Sequence, residues 1–256
     1  MFLAVDIGNT HIVLGLYSDD GFEESWRIAS NRKSTEDEIF VILTNLLGSV
    51  GYGINEIKHV AIASVVPPIC EVWQILARKY FRTGAFLVDA LTDTGMPILL
   101  DSPAELGSDR IVNGVYGFYK YGGPLIVVDL GTATTFDCIS ENCEYMGGVI
   151  APGIGICIEA LFNSTAKLPR VDFVAPPTAI AKNTVNALQS GVFYGFAGQI
   201  DGIVNSLQKE IGSKAKVVAT GGLAAMIGKY CTSIEEVDKL LTLDGLFHLW
   251  SLKYGF

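Results

Sequence analysis

Short apolar runs open the chain. Residues 2–8 and 11–18 are predominantly apolar and meet at Gly8-Asn9, and residues 24–30 continue the pattern, so three antiparallel strands are predicted. Helical spacing follows. Thr35 stands three positions before Glu38, a capping-box start, and Ile39, Ile42, Leu43, Leu46 and Leu47 form one stripe that ends at Gly48. Residues 59–66 read as a buried strand stopped by Pro67-Pro68; Val72, Trp73, Leu76, Ala77 and Tyr80 give a second helix, and residues 85–88 a short strand.

The same order returns later. Residues 125–129, 134–139 and 145–150 read as three strands, with helices over about 154–162 and 184–211, a strand over 215–220, a turn at Gly221-Gly222 and a helix over 223–229. Two halves of this kind predict a duplicated α/β fold with mixed sheets and crossover helices. Between them, Ser102-Pro103-Ala104-Glu105 combines an N-cap, a proline at the first helical position and a capping-box Glu, which predicts a helix to about Tyr121 crossing from one half to the other. The domains are accordingly set at residues 1–121 and 122–256. On the long helix, Gly191, Gly195, Gly198 and Gly202 fall at offsets 0, 4, 7 and 11, keeping one face bare at a cost in helix propensity. Close backbone packing is the reason to do so, against the chain's own sheet or against the same helix of a second subunit.

Composition narrows the class. The chain has 256 residues, half of them hydrophobic, enough for a sizeable core. With 27 acidic against 18 basic residues, the net charge of −9 disfavours nucleic acid and anionic membrane as partners. No basic leader and no apolar run near the roughly 18 residues of a membrane span are present, so a cytoplasmic location is expected. Cys70, Cys138, Cys143, Cys157 and Cys231 contain no C-x-x-C pair and read as buried, reduced thiols, with a Cys138–Cys143 bridge as the alternative.

Candidate chemistry lies at the strand ends. Leu3-Ala4-Val5-Asp6-Ile7-Gly8-Asn9-Thr10 is echoed 123 positions later by Ile126-Val127-Val128-Asp129-Leu130-Gly131-Thr132-Ala133. A carboxylate, a glycine and a hydroxyl at a strand end bring backbone amides to phosphate oxygens and a carboxylate to a cation; an ordinary glycine turn is the plainer reading. Gly153-Ile154-Gly155 lacks the third glycine of a dinucleotide fingerprint, and Gly228-Lys229 lacks both the first glycine and the final hydroxyl of a P-loop. A third element, Val217-Val218-Ala219-Thr220-Gly221-Gly222, offers bare backbone to a flat base. Neither 6–13 nor 129–135 contains Lys or Arg, so a polyphosphate there needs cations, and Asp6 is the residue expected to hold Mg²⁺ through water. In the predicted helix Asp109 would repel Glu105 one turn earlier, a small penalty that suggests it is placed for a task, although a solvated acid in an exposed helix turn is the more frequent case.

The three elements, in this order, resemble the superfamily of actin, heat-shock chaperones and sugar kinases. Asp6–His11, Gly107–Asn113, Asp129–Ala133, Gly147–Gly153, Ala166–Pro169 and Asn183–Gly191 together resemble type III pantothenate kinase over nearly the whole chain. The resemblance implies two ribonuclease H-like domains, each with a mixed five-stranded sheet (the actin-like ATPase fold), and a cleft between them. It implies ATP-dependent phosphorylation of pantothenate, the first step of coenzyme A synthesis, by a homodimer. Asp109 is then the general base, and Leu100, Gly107, Ser108, Asp109, Arg110 and Thr184 contact pantothenate, Leu100 standing where the family generally has tyrosine. Asp6, Ile7, Gly8, Asn9, Thr10, His11, Ile12 and Val13, with Thr132, Gly221 and Gly222, take the nucleotide. By the same likeness Asp129 holds a monovalent cation, K⁺ or NH₄⁺. Two other readings stay open here: a regulatory Bvg accessory factor-like protein without kinase activity, and a kinase of the same superfamily with another small acceptor.

Overall fold

The computed structural model describes residues 1–255. Two compact units are present, one built from residues 1–94, 101–116 and the C-terminal stretch from 241, the other from residues 95–100 and 117–240.

The first unit is organised on a five-stranded sheet in the order β3-β2-β1-β4-β5. Its strands are β1 (Phe2–Ile7), β2 (His11–Ser18), β3 (Gly21–Ala29), β4 (His59–Ser64) and β5 (Ala85–Leu87). The first three form an antiparallel meander, and β4 and β5 add in parallel through crossover helices. Helix α1 (Glu36–Ser49) starts as its sequence asks, with Thr35 Oγ1 accepting from the Glu38 N–H and the Glu38 carboxylate accepting from the Thr35 N–H at 2.8 Å. Pro67-Pro68 stops β4 and also opens α2 (Pro67–Leu76), since a first helical turn needs no proline N–H. Leu3, Val5 and Ile7 of β1 bury one sheet face against Ile39, Leu43 and Leu47 of α1 and Trp73 of α2.

The opposite face is covered by α7 (Leu241–Tyr254). The Phe2 ring lies 5.1 Å from Phe247 and 5.0 Å from Trp250, and Tyr17 stacks on Phe247 at 4.7 Å while its hydroxyl donates to Asp244 at 2.7 Å. A Cβ on Gly15 would meet Leu243 Cδ1 at 3.1 Å, so the helix rests directly on β2. Burying rings of this size contributes about 2 to 3 kcal/mol each. The last helix therefore groups with the first unit, across the 121/122 boundary set from the sequence.

The second unit repeats the topology as β10-β9-β6-β7-β8. Its strands are β6 (Leu125–Leu130), β7 (Ala133–Ile139), β8 (Tyr145–Pro152), β9 (Lys216–Thr220) and β10 (Glu236–Val237), with helices α4 (Ile154–Asn163), α5 (Thr184–Ile211) and α6 (Ala224–Ile227). Again three antiparallel strands are followed by two parallel ones. Val128, Phe136, Ile200, Val204 and Ile227 form its core. The duplicated α/β fold with two mixed five-stranded sheets is thus what the chain adopts.

The segment between the halves departs from expectation. Pro103–Glu105 is only a 3₁₀ turn, Ser102 makes no side-chain cap, and Leu106 returns to extended backbone at φ −73°, ψ 122°. Helix α3 runs from Ser108 to Tyr121. Glu105 and Asp109 share no helix, so no like-charge pair singles out Asp109. The glycine face of α5 also resolves one alternative: a Cβ at Gly191, Gly195, Gly198 or Gly202 would meet nothing within 4 Å, so the chain's own sheet is not its partner. Among the described residues no cysteines are bridged; Cys138 and Cys231 are buried and the other three partly exposed, fewer buried than expected. No helix among the described residues is long and apolar enough to cross a membrane.

Candidate active site

In the first unit, β1 delivers Asp6 to a strand end, in register with Val13 of β2 and Ala63 of β4. The turn behind it is tight. The Gly8 N–H donates to the His11 carbonyl at 3.0 Å, and a Cβ on Gly8 would sit 3.1 Å from that oxygen. Asn9, Thr10 and His11 are left exposed, while Ile7 and Ile12 are core residues and Val13 is half-buried. Partial burial, then the charge of Arg27, holds the His11 imidazole below its ordinary pKa.

In the second unit, β6 delivers Asp129 in the same way, in register with Thr135 of β7 and Thr220 of β9. The Gly131 N–H donates to the Ala133 carbonyl at 3.1 Å, leaving Thr132 exposed at the tip. Two further glycines shape this turn. A Cβ on Gly153 would lie 2.0 Å from the Thr132 carbonyl oxygen, and one on Gly221, whose φ is +93°, would lie 2.5 Å from Asp129 Oδ1. Only glycine fits at either position. Gly221-Gly222 thus closes directly over the base of the Asp129 carboxylate, after the strand pairing Asp129 with Thr220 ends.

Asp109 lies at the N-terminus of α3, and the chain holds it from three sides. The Ser64 N–H donates to Ser108 Oγ at 2.7 Å and the Ser108 hydroxyl donates to the Ser64 carbonyl at 3.1 Å. Next to Ser64, the Val65 N–H donates to the Ile7 carbonyl at 3.1 Å, so the same strand end is tied to the residue after Asp6. The Arg110 N–H donates to Asp109 Oδ1 at 2.8 Å, and a Cβ on Gly107 would sit 2.6 Å from that oxygen. Burial pushes the Asp109 carboxyl above the ordinary carboxylate value, with the Arg110 N–H and guanidinium pulling the other way. A carboxylate whose pKa is raised is, when ionised, a stronger base than a free one.

Of the residues expected at the acceptor site, Gly107, Ser108, Asp109 and Arg110 are contiguous at the start of α3. Ser108 is 5% exposed and its hydroxyl is engaged by Ser64. Thr184 and Leu100 belong to the second unit. Thr184 is the exposed first residue of α5, after Asn183, whose side chain accepts from the Asn186 N–H at 2.8 Å. Residues 97–99 are tied to β8 by the Leu99 N–H to Tyr145 carbonyl bond at 2.9 Å and the Tyr145 N–H to Pro97 carbonyl bond at 2.8 Å. Leu100 then lies against Gly147, 3.7 Å from where its Cβ would be.

Sequence reading missed one feature. Neither strand-end turn contains Lys or Arg, yet the Arg32 guanidinium donates to Asn9 Oδ1 at 3.3 Å. The spacing of 23 residues hides it, because only the β2–β3 pairing brings the two together. For cations, no group of three or more His, Cys, Asp or Glu side chains among the described residues forms a cage. The carboxylate at the end of β1 fits Mg²⁺, which keeps several waters and takes phosphate oxygens, better than it fits an all-protein site.

A family model described as type III pantothenate kinase matches residues 2–206. A type III pantothenate kinase from Moorella thermoacetica is 51% identical over 246 residues, covering 96% of this chain and 97% of that protein. One from Brevibacillus brevis is 47% identical, covering 96% of each. Among solved structures, a ROK family glucokinase from Streptomyces griseus, in complex with glucose and AMPPNP, superposes with a TM-score of 0.53 at 13% identity, covering 98% of both chains. A Campylobacter jejuni protein described as a Baf family transcriptional activator superposes at 0.59 with 20% identity, covering 99% of this chain and 100% of that one. At such identities the two structures speak to the fold alone. The family model and the close relatives speak to more, and on them the chain belongs to the type III pantothenate kinase family.

Proposed function

We propose that the chain phosphorylates pantothenate with ATP, the first step of coenzyme A synthesis, using Asp109 as the base that takes the proton of the acceptor hydroxyl. The family's kinase activity is this chain's activity; the residue roles are proposed. The observation that carries them is the fixed seat of Asp109: burial raises its pKa, and Ser108 ties its turn to the strand end beside β1, which carries Asp6. Phosphoryl transfer asks for an aligned acceptor and neutralised charge more than for covalent help, and a rigid base next to a cation-holding carboxylate meets both needs.

In this reading Gly107, Ser108, Asp109, Arg110, Leu100 and Thr184 take pantothenate, Arg110 presenting its fork of donors to the carboxylate. Residues 6–13, Thr132 and Gly221-Gly222 take ATP; Asp6 holds Mg²⁺ through water and Asp129 holds K⁺ or NH₄⁺. Bound there, the cations neutralise phosphate charge. The exposed glycine face of α5 supports a homodimer, and the acidic chain, without a spanning helix among its described residues, supports a cytoplasmic enzyme.

The test is an ADP-release assay on the purified protein with ATP, Mg²⁺, pantothenate and either K⁺, NH₄⁺ or Na⁺. Turnover is expected only with pantothenate present, and more with K⁺ or NH₄⁺ than with Na⁺. Equal turnover without pantothenate, or full activity in Asp109→Asn, overturns the assignment.

A further inference from the structure

We infer that Arg32 is the protein's own cation for the phosphate chain of ATP at the Asp6 turn. This rests on the kinase reading above. The turn itself, residues 6–13, carries no Lys or Arg, although a triphosphate brings three to four negative charges. One Mg²⁺ at Asp6 leaves part of that charge unmet.

The fold supplies the remainder from the loop after β3. Past the end of that strand the ladder continues for one more bond, the Ser30 N–H donating to the Thr10 carbonyl at 3.0 Å. Asn31 then turns the chain, its side chain accepting from the Lys33 N–H at 3.0 Å and its carbonyl from the Ser34 N–H at 3.1 Å. Thr35 caps α1 immediately afterwards. A loop anchored at both ends presents Arg32 from a fixed base, and its guanidinium reaches back to Asn9 Oδ1 at 3.3 Å.

One observation separates this arrangement from an ordinary surface arginine: no carboxylate among the described residues pairs with Arg32, since the acids nearest in sequence, Glu36 and Asp37, are engaged by Lys79, and Glu38 closes the cap on Thr35. A guanidinium has five donors in a planar fork suited to phosphate oxygens, and the single long bond to Asn9 leaves the fork available.

Arg32→Ala should raise KM for MgATP about tenfold while KM for pantothenate stays within twofold, with Arg32→Lys in between because it keeps charge and loses the fork. Lys33→Ala, the same charge change one residue on, should match wild type. Calorimetric titration gives a readout that needs no turnover: Arg32→Ala should weaken ADP and leave adenosine unchanged. An unaltered KM for MgATP, an equal loss in Lys33→Ala, or equal weakening of adenosine and ADP each overturns the assignment. Should wild type fail to phosphorylate pantothenate, the acceptor reading falls, and the titration still decides Arg32.

Discussion

Ser108 and Ser64 exchange two hydrogen bonds, backbone N–H to hydroxyl at 2.7 Å and hydroxyl to backbone carbonyl at 3.1 Å. One side chain thereby fixes the first turn of α3 to the end of β4, and through the Val65 to Ile7 bond at 3.1 Å to the end of the strand bearing Asp6. Ser108→Ala takes the partner from two part-buried backbone groups of Ser64, which costs about 1 kcal/mol. The expected result is a lower midpoint in urea and a kcat reduced about tenfold, with KM for ATP changed less than twofold. A variant with wild-type kcat would show that the tie does not place the base.

As the proposed base, Asp109 should set the acid limb of the rate. Because burial raises its carboxyl pKa, and only the ionised form can accept a proton, kcat/KM should fall as pH drops through a value above the ordinary carboxylate pKa of about 3.9. Asp109→Asn should lower kcat by about 10² to 10⁴ and erase that limb. Stability should move the other way. A native pKa above the unfolded one means the ionised carboxyl disfavours folding, a penalty present above the native pKa and relieved as pH falls below the unfolded one. Asp109→Asn should therefore melt at or above the wild-type temperature at neutral pH. A variant that lost activity by unfolding would melt lower, and would leave the role of the carboxyl unproven by its kinetics.

Nine of the ten strands among the described residues were legible in the sequence because their signal is local, whereas β10, two residues long, carries no run to read. Apolar runs punctuated by Gly8-Asn9, Gly131-Thr132 and Gly221-Gly222 give strands and turns directly, and the repeat of Asp6 at Asp129 gives the duplication. Thr35 and Glu38 fixed the start of α1 for the same reason. Where tertiary contacts decide, local signals misled. Ser102-Pro103-Ala104-Glu105 has the residues of a helix start, yet the helix waits for Ser108, whose hydroxyl finds its partners 44 residues away on Ser64. The location of α7 was invisible since its aromatic face is matched by Phe2 and Tyr17 at the opposite end of the chain. Arg32 escaped likewise: nothing in residues 6–13 announces a guanidinium that β-pairing brings in.

Gly221 offers a test of the second turn. At φ +93°, an alanine there is strained, and its Cβ would lie 2.5 Å from Asp129 Oδ1 and 2.7 Å from the Leu130 nitrogen. Gly221→Ala should cost about 1 to 3 kcal/mol of stability and displace the Asp129 carboxylate. In a K⁺ titration of kinase activity, the half-saturating concentration should rise at least fivefold. An unchanged titration would remove Asp129 from the cation's ligands.

The glycine face of α5 gives opposite outcomes for its two possible surroundings. Gly191, Gly195, Gly198 and Gly202 are exposed, and a Cβ at any of them meets nothing of the chain within 4 Å. In solvent, replacing such a glycine by alanine stabilises a helix interior by about 0.5 to 1 kcal/mol, because the unfolded backbone has less freedom to lose. Against a second copy of the helix, the added methyl intrudes where two backbones meet, and a leucine intrudes far more. A homodimer through this face predicts that Gly195→Leu with Gly198→Leu converts dimer to monomer in sedimentation equilibrium at micromolar concentration, while helix content by circular dichroism is retained. The single Gly195→Ala change should weaken association too. A wild type that sediments as a monomer, or a double variant that still dimerises, would place the bare face against solvent and leave its cost in helix propensity without a packing partner.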